Sequence, residues 1–588
     1  MQKSVLGKLW QPVTIQEDLV TRISRELQIG DFLAKLVSTR VSSTAEAFDF
    51  LDPKIKRLLP DPFHLLDMQQ GVERVVQAIK NQEKICIFAD YDVDGATSAA
   101  LLKNVFRELG VGVEIYVPDR IEEGYGPTPS AMQKIKNSGN QVVITVDCGS
   151  VAFEALLYAS DIGLDVIVID HHISLDKLPK AVAVINPNRI DEVSNYKNLA
   201  AVGVSFLFAV AFCSMLRQQG FFEDNSIKHP DLIKQLDIVA LGTVCDVMTL
   251  TGLNRAFVKQ GLKIARSRTN IGYTALCDTA ELDEAINCYH LGFILGPRIN
   301  AGGRVGTSSL GAALLSTDNS DKAKKISEEL TIHNNNRKVI ELTILEEAHK
   351  LAKLQANNAV IFVSGNGWHP GVIGIVAGRL KETYNRPVAV VAVNESIGKA
   401  SCRSVKGCDF GSALMEAKLK GMLLAGGGHA MAAGFSIEEN KLSILQEFLE
   451  NRFKNILKNS ISHLEEFYDL ELTASSINNS LIEQINRLEP FGNGNPSPVF
   501  KFNNLFVLKA DIVGSNHIKV LFAPTRESSS STPISAIAFN SVNTVMAEII
   551  LSKKSYNLSV IGSLKENNWQ NRQTVQLHIK DLIINSPS

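Results

Sequence analysis

ICIFADYDVDG, residues 85–95, decides the fold. Its first half, Ile85–Phe88, is a continuous apolar run of the kind found in strands buried on both faces. Its second half sets Asp90, Asp92 and Asp94 at every second position and ends at Gly95, where the chain can turn into a segment of helical period, Gly95–Leu109. Further β-branched runs follow at Val113–Val117, Val142–Val146, Val166–Ile169 and Ala181–Ile185, with a second helical segment at Ser150–Ala159. Short apolar strands alternating with helices predict an α/β domain with a parallel sheet covered on both faces. Such sheets bind their ligands at the carboxyl ends of the strands.

The residues at those ends carry the chemistry. Three alternating carboxylates repel one another unless a cation sits among them. An Asp-rich helix start, or a calcium loop, would give a similar string. A calcium loop of the EF type needs a helix before it, and here a strand precedes. The strand Val142–Val146 leads into Asp147-Cys148-Gly149-Ser150, where Asp147 reads as a helix cap or as a ligand. The strand Val166–Ile169 ends in Asp170-His171-His172. Three successive polar strand ends would converge on one sheet edge, and carboxylates with imidazole suit Mn²⁺ or Mg²⁺ better than a thiolate-loving metal.

The rest of the chain bounds this reading. A length of 588 residues suggests roughly four domains. Lys and Arg number 60 against 62 Asp and Glu, so an anionic partner must be held by a local basic surface. The eight cysteines form no CxxC pair, which argues against a disulfide framework or structural zinc and for a reducing cytoplasm. MQKSVLGKLWQPV lacks the apolar stretch of a signal peptide. The charge-free run Leu199–Leu216 is near the lower length limit of a membrane span and reads instead as a buried core helix. Pattern changes divide the chain into an N-terminal helical segment (1–70), the α/β domain (71–230), a helical connector (231–355), a second α/β domain (356–457) and a strand-rich small β-barrel or sandwich (458–588), with a loop by composition at Glu527–Pro533.

DYDVDG, VDCGS, DHH and the later GTVCDV resemble the four motifs of the DHH phosphoesterase superfamily. VPDRIEEGYG (117–126), GPRINAGGRVG (296–306), GWHPGVIGIVAGRLK (367–381), GGGHAMAAGFS (426–436) and LEPFGNGNPSPVF (488–500), in that order, resemble its RecJ-type exonucleases along nearly the whole chain, as does the QLHIKD ending. Ala89 and Cys245 depart from the expected small residues, at positions that are not ligands. The resemblance implies a DHH domain, a connector carrying the fourth metal motif, a DHHA1 domain and an OB-like domain. It implies a two-ion Mn²⁺ or Mg²⁺ centre on Asp92, Asp94, Asp147, His171 and Asp246, with Asp147 as the candidate bridge and Asp90 and His172 completing or supporting it. It further implies a 5′-phosphate clamp of Arg120, Ser401 and Arg403, backbone contacts from Gly427 and Gly428 beside His429, and substrate-facing Arg298, Asn300 and Arg304. Tyr125 could stack on a base or fill a core, and Arg120 could instead pair with Glu122 or Glu123. Lys501, Phe502, Phe506 and Lys519 are the OB-domain candidates, with Phe502 and Phe506 equally readable as core. The activity implied is 5′→3′ hydrolysis of single-stranded DNA in repair and recombination, by a cytoplasmic monomer working with a RecQ-type helicase and a single-stranded-DNA-binding protein. A compact phosphoesterase of small substrates would need no barrel domain, and a catalytically dead replication scaffold would not keep these carboxylates.

Overall fold

The computed structural model describes residues 2–120, 122–459, 465–524, 533–552, 556–569 and 572–585. It forms two compact units, one of Asp61–Asp246 and Gly261–Ser462, the other of Met1–Pro60, Val247–Gln260 and His463–Ser588.

The first unit holds two sheets. In the first sheet, β1 (Ile85–Ala89), β2 (Val113–Tyr116), β3 (Val142–Val146), β4 (Asp165–Ile169) and β5 (Ala183–Ile185) run parallel in the order β2-β1-β3-β4-β5. β1, β3 and β4 are buried almost throughout, as their unbroken apolar composition requires. The register pairs Ala89 with Val146 and Val146 with Ile169, so the next residues, Asp90, Asp147 and Asp170, stand in one row at the sheet edge. Helix α1 (Val93–Glu108) leaves β1 so closely that a Cβ on Gly95 would lie 2.4 Å from the Asp90 carbonyl oxygen; only glycine fits. The run Leu199–Leu216 becomes α2 (Ala201–Gln218), packed against α1. Among the described residues α2 is the one helix apolar and long enough to cross a membrane, and 78% of that window lies buried in the core. α3 (Leu236–Cys245), α4 (Gly296–Val305) and the 34-residue α5 (Ser320–Lys353) lead to the second sheet. There β6 (Ile361–Asn366) and β7 (Val388–Asn394) are parallel, and β8 (Ile397–Arg403), β9 (Ala425–Gly428) and β10 (Ala432–Glu438) continue antiparallel in the order β9-β10-β8-β7-β6. Helix α6 (Ile373–Tyr384) covers β7 and β8.

The second unit is a barrel. β11 (Phe500–Val513), β12 (His517–Ala523), β13 (Ile534–Ala538), β15 (Arg572–Ile584) and β14 (Leu558–Trp569) pair in that order, and β11 closes on β14. Of the loop Glu527–Pro533, residues 527–532 lie outside the described residues. The N-terminal helices share the barrel's core: Leu19, Ile23, Leu33 and Leu36 pack in one cluster with Phe500, Phe502, Leu558 and Leu577. Strand Leu9–Pro12 pairs in parallel with Glu465–Tyr468. Amphipathic stripes at the start of the chain therefore find their apolar partner some 450 residues away in sequence.

The OB-domain candidates separate by burial. Phe502 is fully buried, so it is core and offers no stacking surface. Lys501 ion-pairs with Glu471 at 2.7 Å and lies over the Tyr468 ring, which commits its charge. Phe506 is half-buried, and Lys519 is exposed. Phe502→Ala is expected to destabilise the barrel by about 3–5 kcal/mol. A calorimetric transition at the wild-type temperature would contradict that placement.

Candidate active site

The row of strand ends is completed by two helices. Asp92 caps α1, its Oδ1 accepting from the N–H groups of Asp94 and Gly95 at 2.8 and 3.1 Å. The Asp94 carboxylate accepts from Ala201 and Val202 N–H at 2.7 and 2.9 Å, so the start of α2 holds it in place. Asp246 stands at the carboxyl end of α3. His171 Nε2 lies 3.2 Å from Asp147, 3.5 Å from Asp246 and 3.7 Å from Asp94. His172 Nδ1 is hydrogen-bonded to Asp170 at 2.8 Å, and Asn186 and Asn188 donate to the His172 and His171 carbonyls.

The electrostatics of this cluster are those of a cation site. Burial, then the neighbouring carboxylates, pushes Asp90 up to about 8 and Asp246 to about 7, and drives Asp94 and Asp147 well above the carboxylate range. Burial, then the His172 charge, lowers His171 to about 4. Burial opposes charge on His172 as well, yet its hydrogen bond to Asp170 raises it to about 9 and holds Asp170 well below its ordinary value. Asp90 Oδ1, Asp147 Oδ1, Asp246 Oδ2 and His171 Nε2 are buried without a hydrogen-bond partner. Buried polar atoms of this kind are costly unless something binds them. Their ligand atoms fall into three groups, each within 4.8 Å: Asp90, Asp92 and Asp147; Asp147, His171 and His172; Asp94, His171 and Asp246. Asp147 and His171 each belong to two groups, the arrangement that adjoining ions would use. Oxygen and imidazole donors without thiolate fit Mn²⁺ or Mg²⁺.

A cationic cluster is built from the second sheet and α4. Ser401 and Arg403 lie on β8, where Arg403 Nη1 donates to Ser401 Oγ at 3.3 Å and to the Cys402 carbonyl at 2.9 Å. The start of α6 comes so close that a Cβ on Gly374 would lie 3.0 Å from Ser401 Oγ and 3.4 Å from Arg403 Nη2. Arg304 donates to the Gly371 carbonyl at 2.9 Å, and burial, then the Arg120 and Arg337 charges, lowers it to about 10. Burial also lowers Arg403 and His369, and Arg120 adds to both effects. Arg120 lies over the Tyr91 ring at 4.9 Å, while Glu123 is held by Tyr116 and Lys134. Crowded guanidinium groups beside a helix N-terminus call for an anion.

Other candidates are placed as follows. Tyr125 is 51% exposed, which rules out a core role, and its ring meets His172 edge-on. Arg298 donates to the Ile294 carbonyl, and its Nε is buried without a partner; Asn300 is half-buried on the same helix. Gly426–Gly428 of the GGGH run lie in β9, an edge strand pairing with Phe435–Ala433. Small residues at 433 and 434 let the two strands close into a hairpin. Gly427, Gly434 and Ser401 stand opposite one another across three strands, which leaves the sheet beside Ser401 without bulky cover. His429 is exposed in the turn.

Sequence reasoning passed over Asp170, which orients His172, and Asn186 and Asn188, which hold the two histidine carbonyls. The strand-end argument would have found Asn186, the residue after β5.

A parallel sheet with this row of carboxylates and histidines at its edge, followed by a second α/β domain, is the architecture of a DHH phosphoesterase. Family models match accordingly: the DHH family N-terminal domain over 84–243, the DHHA1 domain over 356–455 and the RecJ OB domain over 468–581. The chain is 35% identical over 524 residues to the single-stranded-DNA-specific exonuclease RecJ of Escherichia coli, covering 87% of this chain and 89% of that one. It is 32% identical over 581 residues to the RecJ of Bacillus subtilis, covering 98% and 71%. The crystal structure of Thermus thermophilus RecJ in complex with Mn²⁺ matches with a TM-score of 0.80 at 25% identity, covering 98% of this chain and 80% of that one. The chain belongs to the RecJ family.

Proposed function

We propose that this protein is a metal-dependent exonuclease that hydrolyses single-stranded DNA 5′→3′ to 5′-mononucleotides, serving DNA repair and recombination. The observation that carries the reading is the set of buried, unpartnered donor atoms on Asp90, Asp147, His171 and Asp246. Asp90, Asp92, Asp94, Asp147, His171 and Asp246 would hold two divalent ions, which when bound supply a deprotonated water and neutralise charge on the leaving oxygen. Asp147, which belongs to two of the candidate groups, would be the carboxylate shared between them. Asp170 keeps His172 oriented and able to give a proton to the leaving 3′ oxygen. Arg120, Arg304, Ser401 and Arg403 bind the terminal 5′-phosphate and so set direction, with a bidentate arginine the strongest element. Tyr125, exposed beside His172, offers its face to the base being removed. The protein would act as a monomer, supplied with single strands by a helicase and by a single-stranded-DNA-binding protein.

The test compares 5′-phosphorylated single strands with blunt duplex, in Mn²⁺ or Mg²⁺ and in EDTA, with label at either end. Mononucleotides should appear from the 5′ end of single strands only, and EDTA should abolish them. Release from the 3′ end would refute the clamp, and turnover of short oligoribonucleotides or cyclic dinucleotides alone would refute the polymer substrate.

A further inference from the structure

Helices α1, α2 and α3 meet beside the cation cluster, and Gly242 of α3 stands where they meet. A Cβ there would lie 2.4 Å from Thr97 Oγ1, 2.7 Å from Val202 Cγ1 and 3.2 Å from Asp94 Oδ1. The first two distances are far inside van der Waals contact, so something would have to move.

The neighbours cannot step aside. Thr97 and Val202 are fully buried and β-branched, and a helix leaves such side chains little choice of χ1. The Thr97 hydroxyl is also tied down, donating to the Val93 and Asp94 carbonyls at 2.7 and 3.0 Å. Asp94 is pinned as well, each of its carboxylate oxygens accepting from an amide of α2. The shift therefore falls on α3. Moving the Thr97 contact from 2.4 Å to an ordinary 3.4 Å displaces the helix by about 1 Å. That displacement reaches Asp246, whose N–H donates to the Gly242 carbonyl at 2.9 Å.

We propose that Gly242 is a positioning residue that sets the separation of Asp94 and Asp246: its missing side chain brings α3 close enough for both carboxylates, with His171, to serve one ion. The inference rests on the reading of these three residues as metal ligands. They form one candidate group, whereas Asp90, Asp92 and Asp147 form another that draws on no residue of α3. Mg²⁺ holds its oxygen ligands at about 2.1 Å and tolerates little distortion. Widening the first group should therefore weaken one ion and spare the other.

The measurement is the number of Mn²⁺ ions bound by the full-length, DNA-free protein after stripping with EDTA, read from the electron paramagnetic resonance of the free ion. Calorimetry in EDTA first establishes that each variant is folded. The wild type should bind two ions. Gly242→Ala should keep one and hold the second about 10- to 100-fold more weakly. Thr97→Ile, which fills the same gap from α1, should do the same, so the result does not hang on one variant. Trimming the neighbours with Thr97→Ala and Val202→Ala in the Gly242→Ala background should recover part of the second site; a defect of folding alone would show no such recovery. Asp246→Asn is the reference. If it holds two ions, or the wild type holds only one, the ligand reading fails and takes the inference with it. If Asp246→Asn loses an ion while Gly242→Ala and Thr97→Ile bind both normally, or trimming recovers nothing, the positioning role alone is overturned.

Discussion

Asp147→Asn is expected to reduce exonuclease turnover by about 10³-fold or more, some 4 kcal/mol of transition-state stabilisation, while leaving the fold intact. Asp147 is 2% exposed at the end of β3, has a φ of +61° and offers atoms to two of the three candidate ligand groups. An amide keeps the volume and removes the anionic oxygen. In EDTA the variant should unfold no earlier than the wild type, because the buried Asp147 carboxylate is opposed by Asp92, Asp94, Asp90 and Asp170. Added Mn²⁺ should raise the unfolding temperature of the wild type by mass action, and that increment should largely vanish in the variant. Undiminished turnover, or an undiminished Mn²⁺ increment, would remove Asp147 from the centre. Asp92→Ala should also abolish hydrolysis, but it discriminates less well, since Asp92 caps α1 and its loss costs about 1 kcal/mol of helix stability as well.

Arg403→Ala should lower kcat/KM on 5′-phosphorylated single strands by about 30- to 1000-fold, the range expected when one partner of a buried charged hydrogen bond is truncated. On 5′-hydroxyl strands the change should be small, so the preference for a terminal phosphate collapses. The charge of Arg403 is disfavoured by burial and by Arg120, and the acceptors it has are a hydroxyl and a carbonyl. An anion is what would compensate it. Removing the guanidinium should therefore not destabilise the DNA-free protein. Equal losses on both kinds of end would reassign Arg403 to general support of the strand.

How far the sequence reached depends on whether a signal is local. The convergence of the strand ends carrying Asp92 and Asp94, Asp147 and His171 was legible because alternating strands and helices place strand ends on one edge without further information. Asp246 was reachable through the resemblance alone: it arrives from the end of a helix, where no periodicity marks it. The grip of α2 on Asp94 was hidden, since the apolar run reads as core and says nothing of where its first N–H groups point. Phe502 could not be assigned to a face, because either side of a barrel strand accepts an aromatic, and only the register settles which side is inward. The union of the first 60 residues with the barrel depends on packing between distant stretches, which pattern reading does not see.

The apolar helix Ala201–Gln218 is tied by its leading amides to an acidic side chain. Its middle is wedged among phenylalanines, Phe106 against Phe212 and Phe208 against Phe212. Loosening that aromatic wedge by heat or truncation would slacken the tether on Asp94. Thermal inactivation of this enzyme would then begin as leakage of its ions, reversible by resupplying them, and only later become loss of the fold.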